Sequence, residues 1–259
     1  MSWQQSLKNK TVLITGASSG IGAAAARKFS SEGADLILLA RRLDRLEALK
    51  AELEKKYNIN CLALKCDVTK LAEVQALEKI LQKKPVDILL NNAGLAVGTD
   101  KIQDADSRDW DRMIDTNIKG LLYLTRLVLP QMIERDNGHV INIGSTAAHN
   151  VYEGGAVYCL TKHAVDVITR SLRLDLFGTQ IRVSMVSPGI LETEFSLVRF
   201  KGDADKAKKV YSDTIPLTAE DIAELVVYCT SAPPHVNISE IIVWPTLQAG
   251  IGKVASKKK

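Results

Sequence analysis

Short apolar runs alternate with amphipathic stretches along the whole chain. Runs such as residues 11–15 (TVLIT) and 35–40 (DLILLA) are apolar at consecutive positions, which is typical of strands buried on both faces. The longer stretches between them carry charges where a helix would face solvent. The pattern predicts strands at 11–15, 35–40, 61–65, 86–91, 140–143, 181–186 and 238–243, and helices at 21–31, 43–57, 71–83, 107–135 and 219–229, with one more helix around Tyr158.

This alternation predicts an α/β fold, a single-domain Rossmann fold whose doubly wound parallel sheet carries helices on both faces. The 259 residues suffice for one large domain, and no linker, internal repeat or low-complexity tract divides them. We therefore expect one domain over residues 1–259. The lysines at 253 and 257–259 predict a flexible basic tail over residues 253–259.

Composition narrows the class of protein. Hydrophobic residues make up 46% of the chain and charged residues 25%, as in ordinary soluble domains. The net charge of +4 gathers partly at the tail, so we expect neither nucleic-acid binding nor membrane-surface binding, which need a basic face. No apolar run is long enough to span a membrane, and the first residues lack the apolar core of a signal peptide. The cysteines have no zinc-like spacing and predict reduced thiols in a cytoplasmic protein: Cys61, Cys66, Cys159 and Cys229.

A glycine-rich turn links the first predicted strand to the first helix. Its spacing is Gly-x-x-x-Gly-x-Gly, which differs from the commoner Gly-x-Gly-x-x-Gly fingerprint. Glycines allow a tight turn and a close backbone approach to a pyrophosphate, and the N-terminus of the following helix favours negative charge. The turn therefore predicts a dinucleotide site formed by Gly16, Ser18, Ser19, Gly20, Ile21 and Gly22.

Two arginines at the end of the second strand indicate which dinucleotide binds. A carboxylate at this point commonly holds the ribose 2′-hydroxyl of NAD, but this chain has Arg41 and Arg42. Two guanidinium groups suit a 2′-phosphate, so the sequence favours NADP; the alternative is a pair of solvated charges that opens the next helix. Further cofactor contacts are predicted at the ends of the third and fourth strands: Asp67 and Val68 near the adenine, then Asn92, Ala93 and Gly94.

Tyr158 and Lys162 lie four residues apart, on one face of a predicted helix. A free phenol titrates near pH ~10, and a nearby ammonium is expected to lower the pKa of Tyr158. A tyrosine tuned in this way can pass a proton to or from an alcohol oxygen. The spacing alone is weak evidence, because a half-buried tyrosine beside a surface lysine would produce the same pattern.

Together these landmarks resemble the classical short-chain dehydrogenase/reductase family, and the resemblance covers nearly the whole chain. It implies that Tyr158 is the general acid–base group and that Ser145, 13 residues earlier, hydrogen-bonds the substrate oxygen. Lys162 is then expected to bind the nicotinamide ribose and to lower the pKa of Tyr158, and Asn117 to support a water-linked proton relay. The resemblance also implies contacts to the nicotinamide from Pro188, Gly189, Ile190 and Thr193.

The segments around residues 94, 145, 194–203 and 235–238 resemble a narrower group, the NADP-dependent 3-hydroxy acid dehydrogenases. This resemblance implies oxidation of the 3-hydroxyl of small hydroxy acids or hydroxy amino acids, of the L-allo-threonine, serine, 3-hydroxypropionate or 3-hydroxyisobutyrate type. Residues 149–155 depart from the pattern, so the substrate is less constrained than the reaction. A homotetramer assembled through long helices is also implied, and residues 121–132, apolar over more than one face, fit burial against a subunit or a helix.

A variable segment, residues 194–203, is expected to cover the substrate. A 3-hydroxy acid needs a cation near Ser145 and Tyr158, and a guanidinium matches a carboxylate, so we hypothesise that Arg199 binds it. The alternative is an exposed arginine on a mobile lid. No two histidines have metal-site spacing, so no metal is expected. His149 is a second candidate for a substrate contact, and Cys159 is expected to point away from the face that carries Tyr158.

Two other functions remain open. A short-chain carbonyl or 3-oxoacyl reductase acting on bulkier ketones would share every landmark, and dependence on a substrate carboxylate would separate it from the hydroxy acid enzyme. A non-catalytic NADP-binding sensor would keep the fold and lose turnover. Such sensors often lack the tyrosine or the lysine, and both are present here.

Overall fold

The computed structural model describes residues 4–212 and 214–256. Its strands are β1 Thr11–Thr15, β2 Asp35–Ala40, β3 Cys61–Lys65, β4 Ile88–Asn91, β5 Gly138–Ile143, β6 Ile181–Pro188, β7 Glu240–Val243, β8 Gln248–Gly250 and β9 Lys253–Val254. The first seven form one parallel sheet in the order β3-β2-β1-β4-β5-β6-β7. The prediction of a doubly wound parallel sheet is therefore confirmed.

Helices follow the strands in alternation. They are α1 Gly20–Ser31, α2 Leu43–Tyr57, α3 Leu71–Gln75, α4 Glu78–Lys83, α5 Ser107–Ile114, α6 Leu121–Glu134, α7 Ala156–Asp175, α8 Phe195–Arg199, α9 Ala204–Lys209 and α10 Ala219–Ser231. None of the helices in the described residues is long and apolar enough to cross a membrane.

The strands are apolar on both sides because each side contributes to a separate core. In β1, Val12 and Ile14 belong to the core beneath α1, α2 and α10, and Leu13 belongs to the core beneath α4 and α6. Leu36 and Ile37 of β2 divide in the same way. Burial of both faces explains why consecutive strand positions are hydrophobic.

The strand order reverses between β1 and β4, the first of which leads outward to β2 and the second to β5. At such a switch point the loops at the carboxyl ends of adjacent strands diverge and leave a crevice. The glycine turn follows β1, and Asn92 to Gly94 follow β4, so both predicted cofactor segments open into this crevice.

The predicted helix over 107–135 is interrupted. One α-helical segment ends at Ile114 and the next begins at Leu121, and residues Asp115–Gly120 form a π-helical turn. The turn carries Asn117, whose side chain reaches the backbone of Leu95. Helix irregularities of this kind are frequent at functional sites, and nothing in the apolar periodicity marks this one.

Two other expectations also need correction. The predicted helix over 71–83 is divided into α3 and α4 between Gln75 and Glu78. The predicted tail does not begin at Lys253, because β9 pairs antiparallel with β8 around Gly252, which has a φ of +74°. A left-handed residue at this point allows the tight turn. Lysines 257–259 lie outside the described residues.

Candidate active site

A cavity of about 670 Å³ occupies the crevice at the carboxyl ends of β1, β4, β5 and β6. All the predicted cofactor residues except Gly22 line it, from Gly16 to Thr193, together with Ser145, Tyr158 and Lys162. Arg199 closes it from the opposite side. One cavity therefore contains residues that are up to 236 positions apart, from Gly16 to Gly252.

The glycine turn is held against the end of β4. The Asn92 side-chain amide donates to the carbonyl oxygens of Thr15 at 2.8 Å and Gly16 at 3.3 Å. Gly16 has a φ of +65°, and a Cβ on Gly22 would lie 2.5 Å from the Gly16 carbonyl oxygen. No side chain fits at Gly22, so the start of α1 packs closely against the glycine turn.

Arg42 is fixed beside the same turn. Its Nε and Nη2 donate to the Ser18 hydroxyl at 3.2 and 3.1 Å, and Nη2 also donates to the Ser19 hydroxyl at 2.8 Å. Each serine hydroxyl accepts from Arg42 and so keeps its own proton to donate. Arg41 lines the same end of the cavity as an exposed side chain. A guanidinium with two available hydroxyl donors suits an anion such as a 2′-phosphate.

Asp67 and Val68 form the neighbouring wall of the cavity. One carboxylate oxygen of Asp67 accepts from the backbone N–H of Thr69 at 3.0 Å and from its hydroxyl at 2.8 Å. Val68 is 7% exposed and packs where a Cβ on Gly120 would clash. Asp67 therefore orders the turn before α3 besides bordering the predicted adenine position.

The floor of the site is defined here as Ser145, Tyr158, Lys162 and Asn117. It is built on the end of β5, on α7 and on the π-helical turn. Lys162 is 6% exposed, and its ammonium donates to the carbonyl oxygen of Ile143 at 2.9 Å. Ser145 is 9% exposed and its hydroxyl accepts from the backbone N–H of Ala147. The half-buried Tyr158 ring borders the cavity, and its hydroxyl interacts with the Ser145 hydroxyl.

The expected effect of Lys162 on Tyr158 is not what the structure gives. Burial raises the pKa of Tyr158, and it is the Ser145 hydroxyl, then the charge of Arg199, that oppose the rise. Lys162 Nζ lies 6.0 Å from the Tyr158 ring centroid and points to the Ile143 carbonyl. Burial also lowers the pKa of Lys162 to about 8. Desolvation thus disfavours the charged form of both groups.

Asn117 is fully engaged in hydrogen bonds. Its Oδ1 accepts from the N–H of Leu95 at 2.8 Å, and its Nδ2 donates to the carbonyl of Leu95 at 2.8 Å and to the Thr161 hydroxyl at 3.0 Å. A Cβ on Gly94 would lie 3.4 Å from Asn117 Oδ1 and 3.8 Å from Lys162 Nζ. The π-helical turn therefore brings Asn117 next to the lysine.

A residue that the sequence did not single out occupies the end of the cavity near β6. The backbone N–H of Ile190, expected to contact the nicotinamide, donates to Gln248 Oε1 at 2.8 Å. A Cβ on Gly189 would lie 2.6 Å from the same oxygen. Gln248 is 7% exposed and comes from the C-terminal hairpin, between the last predicted strand and the predicted tail, where the apolar pattern predicts no element.

The lid, defined here as residues 194–209, contains α8 and α9 and brings the side chains of Phe195 and Arg199 to Tyr158. The Phe195 ring contacts the Tyr158 ring edge-on at a centroid distance of 5.6 Å. The Arg199 guanidinium lies 5.2 Å from the ring centroid of Tyr152 and 5.9 Å from that of Tyr158. The Arg199 Nε and the Tyr152 hydroxyl are both buried without a hydrogen-bond partner. Sequence reasoning missed Tyr152 and Phe195.

One sequence candidate for a substrate contact, His149, lies elsewhere. His149 does not line the cavity, and its Nε2 contacts Glu240 Oε1 at 2.7 Å, so it is not a substrate contact in this geometry. Cys159 is 1% exposed, and burial raises the pKa of its thiol. No group of three or more His, Cys, Asp or Glu side chains in residues 4–212 and 214–256 is arranged to hold a metal ion.

The residues present fit NADP in two respects. The glycine turn lines the cavity where α1 begins at Gly20, so its backbone N–H groups and the N-terminus of the helix suit a pyrophosphate. At the end of β2, Arg42 and two serine hydroxyls converge where a 2′-phosphate would be recognised.

Comparisons with known proteins agree with this geometry. A family model described as short chain dehydrogenase matches residues 10–203. The NADP-dependent 3-hydroxy acid dehydrogenase of Schizosaccharomyces pombe is 44% identical over 255 residues, which cover 97% of this chain and 98% of that protein. The NADP-dependent 3-hydroxy acid dehydrogenase YdfG of Salmonella typhi is 47% identical over 244 residues, 93% of this chain and 97% of that protein.

Among solved structures, the closed form of serine dehydrogenase complexed with NADP⁺ superimposes with a TM-score of 0.88. The two sequences are 43% identical, and the match covers 96% of this chain and 100% of that one.

Proposed function

Because the chain belongs to the short-chain dehydrogenase family, we propose that it oxidises the 3-hydroxyl of small 3-hydroxy acids or hydroxy amino acids with NADP. Support for the reaction comes from the relatives named NADP-dependent 3-hydroxy acid dehydrogenase, at 44% and 47% identity over nearly the whole chain. The observation that carries the substrate class is Arg199, a guanidinium stacked beside Tyr158 with an unpaired buried Nε.

Bound NADP supplies the acceptor for the hydride that leaves the substrate carbon. Tyr158 takes the hydroxyl proton of the substrate, and the Ser145 hydroxyl holds the same substrate oxygen in hydrogen-bonding range. Proton transfer by a positioned side chain of this kind contributes about 10²- to 10⁴-fold to a rate. Lys162, at 6% exposure, fixes the floor of the site through its bond to Ile143 and supplies a proton-exchanging ammonium next to Asn117.

Arg199 and Tyr152 form the proposed carboxylate site. The stacked arginine is held in place by two aromatic rings, and its planar fork matches the two oxygens of a carboxylate. A buried polar group without a partner carries a desolvation cost that a ligand oxygen would remove. The buried, unpartnered Tyr152 hydroxyl offers a second donor beside the arginine.

The raised pKa of Tyr158 sets the direction of the pH dependence. At neutral pH the phenol keeps its proton, which suits donation to a carbonyl oxygen and therefore reduction of the 3-oxo acid. Oxidation needs the deprotonated form. We expect the rate of oxidation to rise with pH throughout the alkaline range, and the rate of reduction to stay constant until the pH approaches the raised pKa of Tyr158.

The test of the function is a substrate and cofactor panel. Purified protein is mixed with NADP or NAD and with L-allo-threonine, L-serine, 3-hydroxypropionate or a neutral secondary alcohol, and nicotinamide absorbance is followed. Turnover of the hydroxy acids with NADP is expected. Turnover of the neutral alcohol alone would favour the carbonyl reductase alternative, and tight NADP binding without turnover of any of the four would favour the sensor.

We further propose a homotetramer in the cytoplasm. One face of α7 exposes Leu160, Val167 and Leu174, at a spacing of seven residues, and Phe177 follows at 92% exposure. An apolar stripe of this kind is typical of a helix that packs against another subunit. Four buried free cysteines fit a reducing compartment. Light scattering after size exclusion would measure the mass, and Phe177→Asp should reduce it; a monomeric wild-type protein would contradict the assembly.

A further inference from the structure

Arg42 lies at the phosphate end of the cavity, defined here as Ser18, Ser19, Arg41 and Arg42, and it also contacts the lid. Its Nε and Nη2 donate to Ser18 and Ser19, and its Nη1 donates to Glu194 Oε2 at 2.9 Å. The two sets of bonds leave from different nitrogens, so the guanidinium can hold the serines and the lid at the same time.

Glu194, at the beginning of the lid, pairs with Arg42, the residue before α2, and with Arg45 within α2. Besides Arg42, Arg45 donates to its other carboxylate oxygen at 2.7 Å. The two guanidiniums, Arg45 first, hold the pKa of Glu194 below its ordinary value, so the carboxylate is ionised at neutral pH. All three side chains are 41–45% exposed, and exposed ion pairs are individually weak.

Glu194 is also the residue on which α8 is built. Its carbonyl oxygen accepts from the N–H of Val198 at 3.1 Å, and the residue after Val198 is Arg199. The carbonyl of Arg199 in turn accepts from the N–H of Gly98 at 2.9 Å. The short helix α8 therefore links Glu194, whose carboxylate binds Arg42, to Arg199, whose guanidinium faces Tyr158.

At its other end the lid is tied down by a different ion pair. Lys201 Nζ contacts Asp109 Oδ2 at 2.7 Å, and Asp109 lies on α5, away from the phosphate end. The lid is thus held by ion pairs at Glu194 and at Lys201. Only the ion pair at Glu194 includes a residue of the phosphate end, Arg42.

We propose that Glu194 is a positioning residue that converts recognition of the cofactor's 2′-phosphate, through Arg42, into closure of the lid that carries Arg199. A 2′-phosphate on the serine side fixes Arg42 in the orientation in which Nη1 faces Glu194. Without the phosphate, the half-exposed guanidinium is free to leave, and α8 loses one anchor. A ligand shifts the lid only through its different affinity for the two states, and the phosphate supplies that difference. The proposal rests on the assignment of NADP in the proposed function.

The test uses two nucleotides that lack the nicotinamide, so that contacts of the nicotinamide with the lid do not contribute. Adenosine 2′,5′-bisphosphate carries the 2′-phosphate and adenosine 5′-monophosphate does not. Hydrogen exchange is measured by mass spectrometry on the full-length protein saturated with each. The reporting amides are those of Val198, Phe200 and Gly202, which are hydrogen-bonded within the lid and exchange when it opens.

In the wild-type protein we expect the bisphosphate to slow exchange of these amides about threefold to tenfold more than the monophosphate does. This range corresponds to the stabilisation of two exposed ion pairs, those of Glu194 with Arg42 and Arg45. Glu194→Gln should abolish this difference, with the affinity for the bisphosphate within about threefold of wild type. Lys201→Gln is the matched control at the other anchor: exchange should rise with both nucleotides, and the difference between them should remain.

The opposite results separate two failures. Equal exchange with both nucleotides in the wild-type protein, or faster exchange with the bisphosphate because the phosphate draws Arg42 away from Glu194, would overturn the coupling and leave the proposed reaction standing. A bisphosphate that binds no more tightly than the monophosphate would overturn the assignment of NADP, and the coupling with it.

Discussion

The floor of the active site and its lid are held by different forces. On the floor, Ser145, Lys162 and Asn117 are less than 10% exposed, and each makes hydrogen bonds to backbone groups. The lid is anchored through Glu194 and Lys201, by ion pairs whose side chains are 44% and 52% exposed. Buried hydrogen bonds are expensive to break, whereas exposed ion pairs are weak and sensitive to salt.

This difference separates the residues proposed to move the proton from those proposed to select the substrate. The groups proposed to move the proton are fixed by the fold itself, because breaking their bonds would leave buried polar atoms unpaired. The groups proposed to choose the substrate lie on an element that can open and close at low cost. Substitutions on the floor should therefore affect the reaction or the stability strongly, and substitutions on the lid should affect binding more gently.

The largest effect is expected at the floor, for Tyr158→Phe. Removal of the hydroxyl should lower kcat about 10²- to 10⁴-fold, the usual contribution of a general acid–base group, and the affinity for NADP should change little. Steady-state kinetics and cofactor titration measure both. Tyr152→Phe, which removes another buried hydroxyl of the same cavity, is the matched control. An equal loss in both variants would contradict the assignment of the proton transfer to Tyr158.

Lys162→Met tests the desolvation of the floor. The folded-state pKa of Lys162 is lowered from 10.5 to about 8. Below about pH 8 the folded protein therefore carries a charged, buried ammonium, and the full desolvation free energy of that group lowers its stability. Between that pH and 10.5 the unfolded chain keeps the proton that the folded chain releases, and stability rises with pH.

The free energy of unfolding of Lys162→Met should then exceed that of wild type by an amount that depends on pH. We expect a difference of about 3 kcal/mol at pH 7 and below about 1 kcal/mol at pH 10. Urea unfolding at the two pH values measures it. The effect of Tyr158, whose raised pKa acts in the opposite direction above pH 10, is common to both proteins and cancels. Lys70→Met, at an exposed lysine, controls for the loss of one charge. A pH-independent difference would contradict the lowered pKa.

On the lid, Arg199→Gln should raise KM for the hydroxy acids about 10- to 100-fold, the range for a lost hydrogen bond to a charged group. KM for a neutral secondary alcohol should stay within about twofold, since no carboxylate is involved. Arg199→Lys keeps the charge without the planar fork and should fall between. Equal increases for acids and neutral alcohols would show that Arg199 only supports the lid.

The smallest effect is expected for Lys201→Gln, which releases one anchor of the lid. KM should rise about two- to threefold for acids and neutral alcohols alike, as for the loss of one ion pair in which the lysine is 52% exposed and Asp109 is 11% exposed. Asp109→Asn should have a similar effect, and the double variant should add nothing further because both changes remove the same pair. Additive effects would mean that the two side chains act separately.

The sequence by itself determined the order of elements and the local chemistry. Apolar periodicity is a local signal, so strand positions such as Val12 to Ile14 were predictable. Tyr158 and Lys162 face the same way because the helical repeat requires it. Gly16 and Gly22 were recognisable because tight turns need them. Fold class and the glycine turn follow from signals of this kind, and the resemblance to the short-chain dehydrogenase/reductase family added Ser145, Asn117 and the contacts at 188–193.

Tertiary structure alone decided which distant residues meet and how water is excluded from them. The contact of Arg199 with Tyr152, the π-helical turn around Asn117 and the bond between Gln248 and Ile190 join positions 22 to 58 residues apart and leave no periodic trace. The pKa of Tyr158 is the clearest case. Spacing predicts a lowered value from the nearby lysine, but desolvation depends on every atom packed around the hydroxyl, and it raises the pKa instead.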